Sequence, residues 1–326
     1  MKYPKWMKNN ANIGVVALSA GVGNDLKSFN KSIKNIKSKG FNIIETASVR
    51  SKGEAANAGE VRAKELDELI TNKDIDMVMC AAGGDFLIEV LPYVNYDNIK
   101  KNPKWLMGAS DPTSILYLVT TKLDIATIYG HNAGSFDATN LHKSQEFALE
   151  ALKGNLEEQK SYDLYESDRS KRVDDYYLDT KVVWESNKDI DITGRIIGGC
   201  IDCLRDLPGT KYDYTFKFIE KYRDDGIIWY FDIFALTSED FYRTLIQLRE
   251  SGWFKYIKGV IVGRVMFPKT FTEMTYYKAL LTIFKDIPII YNADIGHVAP
   301  KMTIINGSIA HITCSKGKGT INFKLD

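Results

Sequence analysis

Cysteine is scarce in this chain, with 4 in 326 residues, and histidine is equally scarce at 4. So few cysteines exclude a disulfide-built secreted scaffold and fit a reducing compartment. Cys200 and Cys203 have CxxC spacing, but no second cysteine pair completes a zinc site. They read as small core residues, and neither a metal nor a cofactor is expected. Long apolar runs are missing too. No stretch nears the roughly 20 apolar residues that span a bilayer. The segment 1–12 lacks the apolar stretch of a secretory leader, so a cytoplasmic location is expected. Charge of one sign is absent: 43 Lys and Arg face 42 Asp and Glu, for a net charge of +1. That balance removes the general electrostatic reason for binding nucleic acid or a membrane surface. The lysines at 31, 34 and 37 fall at helical spacing and read as a solvated face. Internal repeats and low-complexity tracts are also lacking.

What is present is an alternation. Short apolar runs at 13–18, 41–45, 75–80 and 104–107 are separated by helical patterns at 25–39 and 60–71. Strands alternating with helices predict βαβ units around a mostly parallel sheet. The segment 156–188 is rich in Asp, Glu, Lys, Ser and Tyr and reads as an exposed connection with some local structure. Strand-like runs return at 191–197, 227–233, 259–263 and 287–291, with a helical pattern at 238–250. The expected class is α/β. An N-terminal domain at 1–155 has a mostly parallel sheet flanked by helices. A connecting segment at 156–190 leads to a smaller strand-rich domain at 191–326.

Ligands of such sheets bind beyond the carboxyl ends of the strands. Three small-residue turns fall there: Ser19 to Gly23, Gly83 to Asp85, and Gly108-Ala109-Ser110-Asp111-Pro112-Thr113. The first lacks the Lys-Ser/Thr ending of a P-loop and the third glycine of a dinucleotide loop. The last places a serine between small residues on a strand-to-helix turn, which makes a hydroxyl prominent and reachable. Ser110 reads as a nucleophile; a helix-capping serine would leave the same local pattern. Gly83-Gly84 and the amide of Asp111 could supply N–H donors to an oxyanion, although an ordinary turn also explains the paired glycines.

A serine nucleophile needs a base, and the base needs an orienting carboxylate. His142 sits in a helical pattern, and strand alternation accounts for His311. His131 and His297 each follow a glycine after a strand-like run, and both remain candidates. Asp232 interrupts the apolar run 227–234, where a buried carboxylate needs a partner. Its alternative is to face solvent from an alternating strand.

Together these segments resemble the LD-carboxypeptidase serine peptidases, a family that includes the microcin C self-immunity proteins. Ala81-Ala82-Gly83-Gly84 with Leu91-Pro92-Tyr93 is similar to the family's Gly-Gly turn and Leu-Pro segment. Asn102-Pro103-Lys104 and the Ser110 turn resemble its Pro-Lys and Gly-Tyr-Ser-Asp-Ile-Thr stretch. Gly198-Gly199-Cys200, Leu204, Leu207 and Gly209-Thr210 resemble Gly-Gly-Asn…Leu…Leu-x-Gly-Thr. Ile295-Gly296-His297 with Asn306-Gly307 resembles the Gly-His ending. The resemblance implies a Ser-Glu-His triad on Ser110, His297 and, in the glutamate position, Asp232. It also implies a homodimer and an amide-bond hydrolase acting on murein-derived peptides. The alternatives are hydrolysis of a peptidyl-nucleotide and a catalytically weakened binding protein of the same fold. The chain departs from the family at Ala109 for tyrosine, Pro112 for isoleucine, Cys200 for asparagine and Asp232 for glutamate.

Overall fold

The computed structural model describes residues 1–326. The chain divides into two compact units. The first comprises 1–156 with 172–176 and 303–306; the second comprises 157–171, 177–302 and 307–326.

In the first unit, β1 (Ala11–Val16), α1 (Leu26–Ser38), β2 (Phe41–Glu45), α2 (Gly59–Thr71) and β3 (Met77–Cys80) alternate along the chain. α3 (Tyr96–Lys101), β4 (Trp105–Gly108), α4 (Thr113–Leu123), β5 (Thr127–Tyr129) and α5 (Lys143–Ala151) complete the series. β3 and β4 are buried at every residue, as strands covered on both faces must be. α1 starts where Asp25 accepts from the Ser28 amide at 3.0 Å, and it turns Phe29, Ile33 and Ile36 inward. The five strands pair in parallel in the order β5-β4-β3-β1-β2. A late strand, Ile304–Asn306, adds antiparallel to β5. The α/β class with a mostly parallel N-terminal sheet thus follows from the alternation of apolar runs.

The second unit holds β6 (Gln159–Lys160), β7 (Leu164–Tyr165), β8 (Thr180–Lys181), β9 (Glu185–Ser186) and β10 (Ile190–Cys200). There follow α6 (Ile201–Leu204), α7 (Thr215–Lys221), β11 (Ile227–Asp232), α8 (Ser238–Glu250), β12 (Ile257–Gly263), α9 (Tyr276–Phe284) and β13 (Ile289–Ala293). Ile304–Asn306 of the other sheet is β14, and β15 (Ile309–Ser315) and β16 (Lys318–Lys324) end the chain. The sheet order is β6-β16-β15-β10-β11-β12-β13-β9. Its centre, β10 to β13, is parallel, and antiparallel strands close both edges. Every residue of β11 is buried. Trp229 of this strand stacks on Trp253 at 5.4 Å between ring centroids. Register aligns Cys200 of β10 with Asp232 of β11, so both side chains stand at the carboxyl edge of the parallel core.

No helix is long and apolar enough to cross a membrane.

Candidate active site

In the first unit, Ser110 follows β4 with a φ of +69°. A non-glycine residue in this left-handed region is strained, and such strain concentrates where a side chain must be aimed. The turn is held around it. Asn132 clamps Ala109, accepting from its amide at 2.9 Å and donating to its carbonyl at 3.1 Å. The Ser110 amide donates to the Tyr129 hydroxyl at 3.2 Å. The Thr113 amide closes the turn on the Ser110 carbonyl at 2.8 Å. Ser110 is half-buried, and Asp111 behind it is buried.

Gly83 and Gly84 lie beside this turn. A β-carbon on Gly83 would stand 3.0 Å from Ser110 Cβ and 3.2 Å from its Oγ. Gly84 has a φ of +144°, and a β-carbon there would meet Ser19 Oγ at 2.4 Å. Bare backbone is therefore required next to the hydroxyl. Side-chain contacts that sequence reasoning did not assign fix these loops. The Asp111 carboxylate accepts from the Leu87 amide at 2.8 Å and from the Ser19 hydroxyl. Burial pushes its pKa up, opposed by the Ser19 and Leu87 hydrogen bonds. The fully buried Arg62 donates to the carbonyls of Leu18 at 2.7 Å and Phe86 at 3.0 Å, tying the loops after β1 and β3 together.

In the second unit, the structure brings Asp232 and His297 together. Asp232 is fully buried at the end of β11. Its Oδ2 lies 2.7 Å from His297 Nδ1, and its Oδ1 accepts from the His297 amide at 3.2 Å. Gly296, with a φ of +101°, makes this approach possible, because a β-carbon there would fall 2.0 Å from Asp232 Oδ1. Gly263 plays the same part on the next strand, where a β-carbon would lie 2.1 Å from the Ile295 carbonyl oxygen. The imidazole packs against Phe234 at 4.7 Å between centroids. It also lines a cavity of about 780 Å³ together with Glu166, Arg169, Arg264 and Phe267.

The loop carrying His297 has its own anchor, which the sequence did not reveal. Asp294 is fully buried and pairs with the Nη2 of the buried Arg264. It also accepts from Trp184 Nε1 at 2.9 Å and the Tyr162 amide at 3.0 Å. Breaking such a pair leaves a charge buried without its counterion. Asp294→Ala is expected to cost about 3–5 kcal/mol of stability, read as a lowered midpoint in urea unfolding.

The other histidines lie elsewhere in the fold. His131 is fully buried, its ring 5.2 Å from that of Phe136. His142 caps α5. His311 on β15 pairs with Asp191 at 2.8 Å.

Comparison with known proteins places these observations in a family. Residues 13–130 match the model of the LD-carboxypeptidase N-terminal domain, and residues 193–312 match that of the LD-carboxypeptidase C-terminal domain. The microcin C7 self-immunity protein MccF of Escherichia coli is 23% identical over 302 residues, covering 85% of this chain and 82% of its own. The crystal structure of an MccF-like protein from Bacillus anthracis superposes with a TM-score of 0.85, at 23% identity over 100% of both chains. An MccF-like protein from Streptococcus pneumoniae, solved in complex with AMP, gives 0.80 at 26% identity, covering 96% of this chain and 98% of that one. With both domain models matched in order along the sequence, the chain belongs to the LD-carboxypeptidase family of peptidases.

Proposed function

We propose that the protein is a serine hydrolase that cleaves an amide bond in a small peptide-like substrate, with Ser110 as nucleophile, His297 as general base and Asp232 as its orienting carboxylate. The observation that carries the reading is the 2.7 Å contact between His297 Nδ1 and the buried Asp232 carboxylate. At 2.7 Å the carboxylate favours a proton on Nδ1, and modest rotation of the ring, whose Nδ1 is buried and not yet aligned for a hydrogen bond, completes that bond and leaves the Nε2 lone pair to take a hydroxyl proton. The strained φ of Ser110 supports the other half of the reading. His131, the rival base, is fully buried, which favours His297.

In this scheme Ser110 Oγ attacks the carbonyl carbon while its proton passes to His297 Nε2. The oxyanion is held by the amides of Gly84 and Asp111. The imidazolium then protonates the leaving amine, and water hydrolyses the acyl-enzyme by the same route in reverse. Aspartate reaches the imidazole here although the resemblance calls for glutamate, because Gly296 brings the histidine loop against the shorter acid.

For the substrate we take a murein-derived peptide with an L-residue followed by a D-residue, in line with the family. A second reading, a peptidyl-nucleotide, is favoured by the AMP held in the Streptococcus pneumoniae structure. Incubation with an L,D-peptide and with an aminoacyl sulfamoyl adenosine, followed by mass spectrometry, separates them. Release of the terminal D-residue is expected. Cleavage of the nucleotide conjugate alone would transfer the protein to the second reading. Cleavage of neither, with Ser110 refractory to a fluorophosphonate, would leave only the binding-protein alternative.

A further inference from the structure

Cys200 is one departure from the family pattern that the proposed reaction does not use. It ends β10, is buried, and lies in register with Asp232. Its sulfur, an Asp232 oxygen and a His297 ring nitrogen all fall within 4.8 Å of one another. A thiol, a carboxylate and an imidazole converging at this distance form the mixed S, O and N donor set that binds zinc. We propose that Cys200, Asp232 and His297 form a site for Zn2+ or a similar borderline divalent cation, and that its occupation switches the hydrolase off.

The geometry needs a small adjustment. Zinc bonds of about 2.0–2.1 Å to nitrogen and oxygen and about 2.3 Å to sulfur set tetrahedral donor separations of about 3.3–3.6 Å. The Asp232–His297 contact opens from 2.7 Å toward that value while the sulfur closes in. His297 is the half-buried member and lines the cavity, while its Nδ1 faces the buried carboxylate and thiol. Asp202 adds negative charge nearby: its Oδ2 is 3.7 Å from the Cys200 sulfur. The thiol is held protonated in the absence of metal, first by its hydrogen bond with Cys203, then by burial and the neighbouring carboxylates. A dication entering this negative field displaces that proton.

The inhibition follows from the tautomer and rests on the role given to His297 above. Metal on Nδ1 takes the lone pair there, and the Nδ1 proton relocates to Nε2. Nε2 becomes a donor and can no longer accept the serine proton. The thiol proton leaves to solvent, so one proton is released for each ion bound.

Cobalt serves as the spectroscopic probe. Titration of chelator-treated protein with Co2+ is expected to produce a near-ultraviolet thiolate-to-cobalt charge-transfer band at one equivalent, bleached by Zn2+. The band is expected in Ser110→Ala as in the wild type, lost in Cys200→Ser and Cys200→Ala, and kept in Cys203→Ser. Zinc is expected to inhibit wild-type hydrolysis at least 10-fold, reversibly with EDTA. A band that survives both Cys200 variants, a band lost in Cys203→Ser, or no band at all would overturn the site. Because the cobalt readout is taken in Ser110→Ala, it stands even if the serine mechanism fails. Metal binding without inhibition would overturn the switch.

Discussion

Ser110→Ala is expected to remove hydrolysis of any substrate by at least about 10³-fold in kcat while leaving the unfolding midpoint within about 1 kcal/mol of wild type. In the proposed mechanism the serine contributes a nucleophile that no neighbour replaces, and removing one half-buried hydroxyl opens no large cavity. Its φ of +69° disfavours alanine as well as serine, so the turn is held by Asn132 and Tyr129 rather than by the residue itself. Single-turnover assays by mass spectrometry give the rate, and urea unfolding gives the stability. Covalent labelling by a fluorophosphonate is expected on wild type and absent in the variant. Activity retained within 10-fold would remove Ser110 from the mechanism.

Much of this architecture was legible in the sequence because its logic is local. Strands buried on both faces leave continuous apolar runs such as Met77-Val78-Met79-Cys80, and their alternation with helices at 26–38 and 59–71 defines a parallel sheet. The strand-to-helix turn at Ser110 was legible for the same reason, although a helix-capping serine would leave the same local pattern. The choice between His131 and His297 was not local. Both follow a glycine after a strand, and what separates them is a carboxylate 65 residues away from one of them. The Asp294 anchor was hidden more deeply. Trp184 and Tyr162 come from a polar stretch that reads as an exposed connection, yet both bond to a buried aspartate in the same unit. Composition averages over such a segment, and two inward side chains do not change its average.

Asp232→Asn tests the pairing that the proposed chemistry depends on. The amide is nearly isosteric, so the buried site is expected to fold, with a loss of about 1–3 kcal/mol for exchanging a charged acceptor against a neutral one. Catalysis is expected to fall much further, by about 10³–10⁴-fold, because an amide N–H facing Nδ1 selects the tautomer whose Nε2 is already protonated. Asp232→Glu, which restores the acid implied by the family resemblance, is the complementary change. A longer acid here has little room, because Gly296 already approaches the Asp232 carboxylate closely enough that even a β-carbon would fall 2.0 Å from its Oδ1. The extra methylene is expected to cost about 1–3 kcal/mol by overpacking and to lower activity. The position of the loop and the length of the acid are matched, so glutamate should work here only if the loop retreats. Double-mutant analysis with His297→Ala gives the decisive comparison. If Asp232 acts through His297, its loss on the His297→Ala background is expected to cost less than about 10-fold further. Additive losses would mean that Asp232 acts by some route other than the imidazole it touches.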